Sequence, residues 1–179
     1  MTGTDEAAAL AELRARLPYR LGVGGVLFNG DGRVWIGCRL PKKGQHIENY
    51  WQMPQGGIDE EEDPQAAVIR EVAEETGTDK VEILEETAGW LEYDLPDDLV
   101  GVAWKGKYRG QKQKWFALRF TGRDSDFDLA AHAKPEFSDW RWAVLDELPG
   151  LIVPFKRTLY GAVVAAFAPW PEKIRAREN

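Results

Sequence analysis

The chain reads as an α/β domain, a mixed β-sheet with helices packed against it. Two observations carry that expectation. Short runs rich in β-branched and aromatic residues are interrupted by segments of helical periodicity, and such interleaving favours layers of helix on sheet. The 179 residues are 44% hydrophobic and 11% aromatic, enough to bury one core. No internal repeat, low-complexity tract or long linker divides the chain.

The elements follow in order. Residues 1–17 read as a short helical or frayed lead-in. They have no long apolar core, and Asp5, Glu6 and Glu12 weigh against a transit peptide. LGVGGVLF (21–28) and RVWIGCRL (33–40) read as strands, and the NGDG between them is a tight-turn signal, so the two should form a hairpin. KKGQHIENY (42–50) has the composition of a loop, either lining a substrate mouth or closing over it. Asp63 as N-cap and Pro64 at the first helical position open a helix that stops before Gly77. QKWFALRF (113–120) and WRWAVL (140–145) are further strands. After Pro154 a second helix carries Phe155, Leu159, Val163 and Phe167 at helical spacing. Residues 169–179 read as a C-terminal tail.

Composition excludes some classes of function. No apolar run reaches the roughly eighteen residues that a membrane-spanning helix needs. A net charge of −7 argues against general coating of nucleic acid, although a local basic patch can still bind phosphates. Cys38 is the single cysteine, so no internal disulfide forms, and a reducing cytoplasm is the expected location.

The acidic stretch from Gly56 to Gly77, GGIDEEEDPQAAVIREVAEETG, demands a physical reason. On a helix, Glu71, Glu74 and Glu75 fan across roughly 100° of one face, with Ile69, Val72 and Ala73 opposite, facing the sheet. A solvated charged face is the plain explanation. Against it, each like-charge pair at i,i+3 or i,i+4 costs about 0.2–0.5 kcal/mol. Glu74 and Glu75 also oppose the helix dipole in the last turn, and Arg70 offsets only part of the repulsion. A hard divalent cation takes oxygen ligands and offsets far more. The carboxylates therefore read as a metal site.

The spacing sharpens this. Gly56, five residues, Glu62, seven residues, then Arg70-Glu71-Val72-Ala73-Glu74-Glu75-Thr76-Gly77 resembles the Nudix box, G-x5-E-x7-R-E-U-x-E-E-x-G-U with U a bulky aliphatic residue. Every fixed letter matches, and Thr78 departs only at the last U. The resemblance implies an α/β/α sandwich that hydrolyses nucleoside diphosphates linked to another group, with Mg²⁺ or Mn²⁺ as cofactor. Carried over by position, Glu71, Glu74, Glu75 and the Gly56 carbonyl would be metal ligands. Arg70 would orient the glutamates, Glu62 would brace the loop through Arg70, and Gly77 would end the helix. The base that deprotonates water would be Glu74, Glu71 or Glu136.

WQMPQGG (51–57), GQKQKWF (110–116), PEFSDWRW (135–142) and VPFKR (153–157) are similar to segments of bacterial RNA pyrophosphohydrolases, which overlap with dinucleoside polyphosphate hydrolases. The resemblance covers about residues 18–168, taken as the catalytic domain. It implies Glu136 as a further metal ligand, Phe155 and Lys156 holding base and phosphates, and Arg20, Arg39 and, more weakly, Tyr93 contacting phosphates. Five cations in KGKYRGQKQK (105–114) stand out in an acidic chain. Alternation puts Lys112 and Lys114 on the side of Phe116, Leu118 and Phe120. If those three face the core, the lysines should point to the pocket mouth as substrate-binding residues; ordinary solvated lysines are the alternative. His46 and His132 are isolated, and GVGG (22–25) lacks the rest of a phosphate loop.

The leading expectation is removal of pyrophosphate from 5′-triphosphate RNA. Hydrolysis of diadenosine tetraphosphate and related dinucleoside polyphosphates, with the same residues, is the alternative. A Nudix-fold binding module without catalysis comes third, and the intact set of glutamates counts against it.

Overall fold

A computed structural model describes residues 3–41 and 49–179. Most of the segment 42–50, His46 included, lies outside the described residues. Helix α1 (Gly3–Arg16) precedes strands β1 (Tyr19–Phe28), β2 (Val34–Arg39), β3 (Trp51–Gln52) and β4 (Gln55–Gly57). Helix α2 (Pro64–Thr76) leads into β5 (Val81–Glu86), β6 (Leu91–Asp94), β7 (Gly110–Phe120) and β8 (Phe137–Ala143). Helices α3 (Leu148–Leu151), α4 (Arg157–Phe167) and α5 (Trp170–Glu178) close the chain.

The sheet is mixed, as expected. β1 runs parallel to β7 over its whole length, Tyr19 opposite Gly110 through Phe28 opposite Arg119. It meets β2 antiparallel, Phe28 opposite Val34, which is the hairpin that NGDG calls for. The turn is held by Asn29, whose side-chain oxygen accepts from the Asp31 and Arg33 N–H groups, each at 3.0 Å. β4 pairs antiparallel with β1, placing Gly56 opposite Val23.

Two cores flank the sheet. On one face Val23, Leu27, Phe116, Leu118 and Phe120 pack under Ala67, Val68 and Val72 of α2. On the other, Val26, Phe28, Trp115 and Ala117 meet Leu159, Val163 and Phe167 of α4. Helices on both faces make this an α/β/α sandwich.

Three expectations are refined or corrected. Phe155 sits in a 3₁₀ turn, Pro154–Lys156, and the helix begins only at Arg157, while Leu159, Val163 and Phe167 keep the buried face the spacing implied. The C-terminal tail is helical over Trp170–Glu178, with Trp170 and Ile174 buried in the second core. On α2, Val72 is buried but Ile69 and Ala73 only partly, and the acidic side is not a solvated face, since Glu75 is just 7% exposed.

Candidate active site

The candidate site forms where the loop after β4 meets the last two turns of α2. Local chemistry sets both ends of that helix. Asp63 caps its start by accepting from the Gln65 and Ala66 N–H groups at 3.0 and 3.2 Å. Gly77 ends it in the left-handed conformation at φ 84°, donating its N–H to the Ala73 carbonyl. Thr78, the one departure from the box, is buried, and its hydroxyl accepts from the Lys80 N–H at 3.2 Å.

Arg70 is the hub. Its Nε and Nη2 donate to the two Glu62 oxygens at 2.7 and 2.8 Å, and Nη2 also donates to the Gly57 carbonyl at 2.9 Å. Nη1 donates to Glu71 at 2.9 Å and Glu74 at 3.3 Å. One guanidinium thus joins loop to helix, as the fork geometry of arginine permits. The Arg70 hydrogen bonds hold Glu62 down at a pKa of about 2.

Next to Arg70, the Glu71 carboxylate lies against Gly56 in the space a Cβ would occupy. Burial raises its pKa, and the neighbouring Arg70 offsets part of that rise. Glu75 accepts from the Gln55 N–H at 3.2 Å. Burial, then the charges of Glu71 and Glu136, push its pKa well above the carboxylate range. Among the described residues, no three carboxylate, imidazole or thiol side chains already converge on one metal position. The donor set nevertheless fits a hard divalent ion. Oxygen donors are what such ions take, and buried carboxylates that repel one another are what a cation relieves.

The predicted substrate residues separate into two groups. Arg39 donates to the Gln52 side chain at 3.3 Å and stands 3.6 Å from the Glu136 carboxylate. Arg20 packs against Gly57 and lies under the Trp104 ring at 5.5 Å. Tyr93 is buried, with the Phe155 ring at 5.9 Å and the Lys156 ammonium over its face at 5.2 Å. These residues gather around the glutamates; burial raises the pKa of Tyr93, and both arginines offset part of that rise.

Lys112 does not join them. It and Lys114 share the face of Phe116, Leu118 and Phe120, as alternation implied, and that face is the one α2 covers. Lys112 pairs instead with Glu92 at 3.6 Å and lies over the Tyr19 ring at 5.1 Å. The pocket side of β7 carries Gln111 and Gln113, which the sequence reading passed over. Gln113 Nε2 donates to Gln55 at 2.7 Å and to Gln111 at 2.6 Å. Their strict alternation with the lysines in GQKQKWF was the available signal. Tyr160 was also missed. Its hydroxyl accepts from the Met53 N–H at 3.0 Å, and burial raises its pKa.

Known proteins resemble this chain. The NUDIX domain profile matches residues 18–163. A protein of Rhodospirillum rubrum named RNA pyrophosphohydrolase is 54% identical over 154 residues, covering 86% of this chain and 90% of that protein. One of the same name from Roseobacter denitrificans is 53% identical, covering 86% and 94%. Among solved structures, the E. coli dihydroneopterin triphosphate pyrophosphohydrolase matches at a TM-score of 0.58 with 19% identity, over 83% of this chain and 98% of that one. A C. elegans Ap4A hydrolase matches at 0.57 with 20% identity, over the same two shares. The last two speak to the fold alone. The domain match over most of the chain and relatives of this identity along nearly their whole length establish that the chain belongs to the Nudix family.

Proposed function

We propose that this protein is a metal-dependent pyrophosphohydrolase that removes pyrophosphate from the 5′-triphosphate end of RNA and leaves a 5′-monophosphate. The observation that carries the reading is the box assembled around Arg70 in a chain 54% identical to a protein named RNA pyrophosphohydrolase. Gly56 through its carbonyl, and Glu71, Glu74, Glu75 and Glu136, would hold the ion, Mg²⁺ or Mn²⁺. Such an ion, when bound, polarises phosphoryl oxygens and lowers the pKa of a water molecule.

The chain's own residues do the rest. Arg70 keeps Glu71 and Glu74 in register with the loop, with Glu62 and Gly77 securing the frame. Arg20, Arg39, Tyr93 and Lys156 bind the phosphates, and Phe155 stacks a base. A water oxygen bonds to phosphorus, the phosphoanhydride bond to the pyrophosphate breaks, and pyrophosphate leaves. The water's proton passes to a carboxylate of the same set, Glu74, Glu71 or Glu136. A 5′-monophosphate end exposes RNA to nucleases that prefer it, so the activity would promote mRNA decay in the cytoplasm.

The test compares kcat/KM for a short 5′-triphosphate RNA and for diadenosine tetraphosphate, each with Mg²⁺ and with Mn²⁺, using Glu74→Gln as the inactive control. Preference for the RNA, with pyrophosphate or successive phosphates released, supports the proposal. Preference for the dinucleotide reassigns the same site to small-molecule clearance, and no turnover of either overturns both.

A further inference from the structure

A chain of three amides beside the candidate site, two of them buried, has only one possible direction. Trp115 is fully buried, and its indole Nε1 donates to Gln113 Oε1 at 3.1 Å. An indole N–H can only donate, so the Gln113 atom facing it must be the carbonyl oxygen. The other end of that amide is then its NH₂, lying 2.7 Å from Gln55 and 2.6 Å from Gln111. Both neighbours must therefore turn their own oxygens inward to accept. Their NH₂ groups are left pointing away from Gln113, and no partner is shown for either among the described residues.

Those two amides stand beside the residues proposed to hold phosphate. Gln111 lies between Arg20 on β1 and Tyr93 on β6, each directly opposite it across the sheet. Gln55 precedes Gly56 and donates its backbone N–H to Glu75. Gln111 and Gln113 are each only 1% exposed, so a misoriented amide there would not be rescued by bulk water.

We infer that Trp115 is a positioning residue, which through Gln113 locks Gln55 and Gln111 so that they present N–H donors, and never carbonyl oxygens, to the phosphate chain of the substrate. This rests on the polyphosphate reading above. Its logic is that a fixed donor array suits an anion, whereas an amide free to flip would offer the anion a lone pair half the time.

The experiment uses Trp115→Phe, which keeps an aromatic ring beside Tyr160 but removes the N–H, together with Gln113→Met, their double variant and Gln111→Met. KM and kcat are measured for 5′-triphosphate RNA, and Kd for inorganic tripolyphosphate. Each single variant should raise KM and Kd about tenfold, the scale of one hydrogen bond, with kcat changed less than about threefold. The double variant should be no worse than either single, because both break one chain. Losses that multiply in the double variant, or a fall in kcat with KM and Kd unmoved, would assign the residues a merely structural role and overturn the inference. Gln113→Met breaks the same link with Trp115 and Gln111 both in place, so it decides the question if Trp115→Phe fails to fold, with Gln111→Met giving the loss expected of the donor itself. Should the wild type not hydrolyse the RNA, the function proposal fails by itself, and tripolyphosphate binding still decides this one.

Discussion

Arg70 and Glu62, eight positions apart, are joined at two points, Nε to one carboxylate oxygen at 2.7 Å and Nη2 to the other at 2.8 Å. The pair ties the loop after β4 to α2, and the same guanidinium reaches Gly57, Glu71 and Glu74. Lysine keeps the charge but cannot span these partners. Arg70→Lys should therefore lower stability by about 1–2 kcal/mol and kcat/KM by at least about tenfold. Urea denaturation and steady-state kinetics on the same preparation check both.

The same pair sets an acid limit. Arg70 lowers the Glu62 pKa from an ordinary 4.5 to about 2. A carboxylate whose folded pKa is depressed adds stability above its unfolded pKa and loses it as pH falls through the folded one. Between pH 6 and pH 2, in metal-free buffer, Glu62→Gln should show a flatter fall in Tm than the wild type. The gap between the two should be widest above pH 4.5 and close toward pH 2. A constant gap would show that Glu62 acts through packing alone.

Gly56 has no Cβ, and the Glu71 carboxylate occupies that space. Gly56→Ala should displace the carboxylate by about an ångström and cut kcat/KM by on the order of a hundredfold. The displaced group is the far end of a flexible side chain, so Tm should change little. Kinetics and calorimetry on one sample separate the two effects.

Asp63 caps α2 through two N–H groups, at 3.0 and 3.2 Å. Asp63→Ala should cost about 1 kcal/mol of stability. The cap lies at the far end of the helix from Glu74, so activity well below Tm should persist.

Ile174 is fully buried against the core, in the stretch read from sequence as a C-terminal tail. Ile174→Ala should cost about 2–5 kcal/mol. Chemical denaturation reads this directly, and a cost near zero would detach α5 from the folding unit.

How much of this was legible depends on the range of the interactions. The α2 boundaries were readable because Asp63, Pro64 and Gly77 act on backbone groups within four residues of themselves. The hairpin was readable because Asn29 holds its own turn. The box was readable because a helix converts spacing into a shared face, so Arg70, Glu71, Glu74 and Glu75 sit together wherever the helix goes. β3 and β4 were not, since two or three residues cannot display a period of two. Their pairing comes from β2 and β1, which are distant in sequence.

The amino-acid order by itself determined the acidic helix, its caps and the carboxylates it presents, because those follow from bonds and contacts within a few turns of chain. Only the tertiary structure decided which side of each strand meets the site. Alternation groups Lys112 with Lys114 and Gln111 with Gln113, but it is symmetric between the two faces of a sheet. α2 broke that symmetry by covering the lysine side of β7, which leaves the glutamines on the other side, beside Gln55. Burial of Trp170 and Ile174 belongs to the same class of decision, made by contacts between elements that no local pattern records.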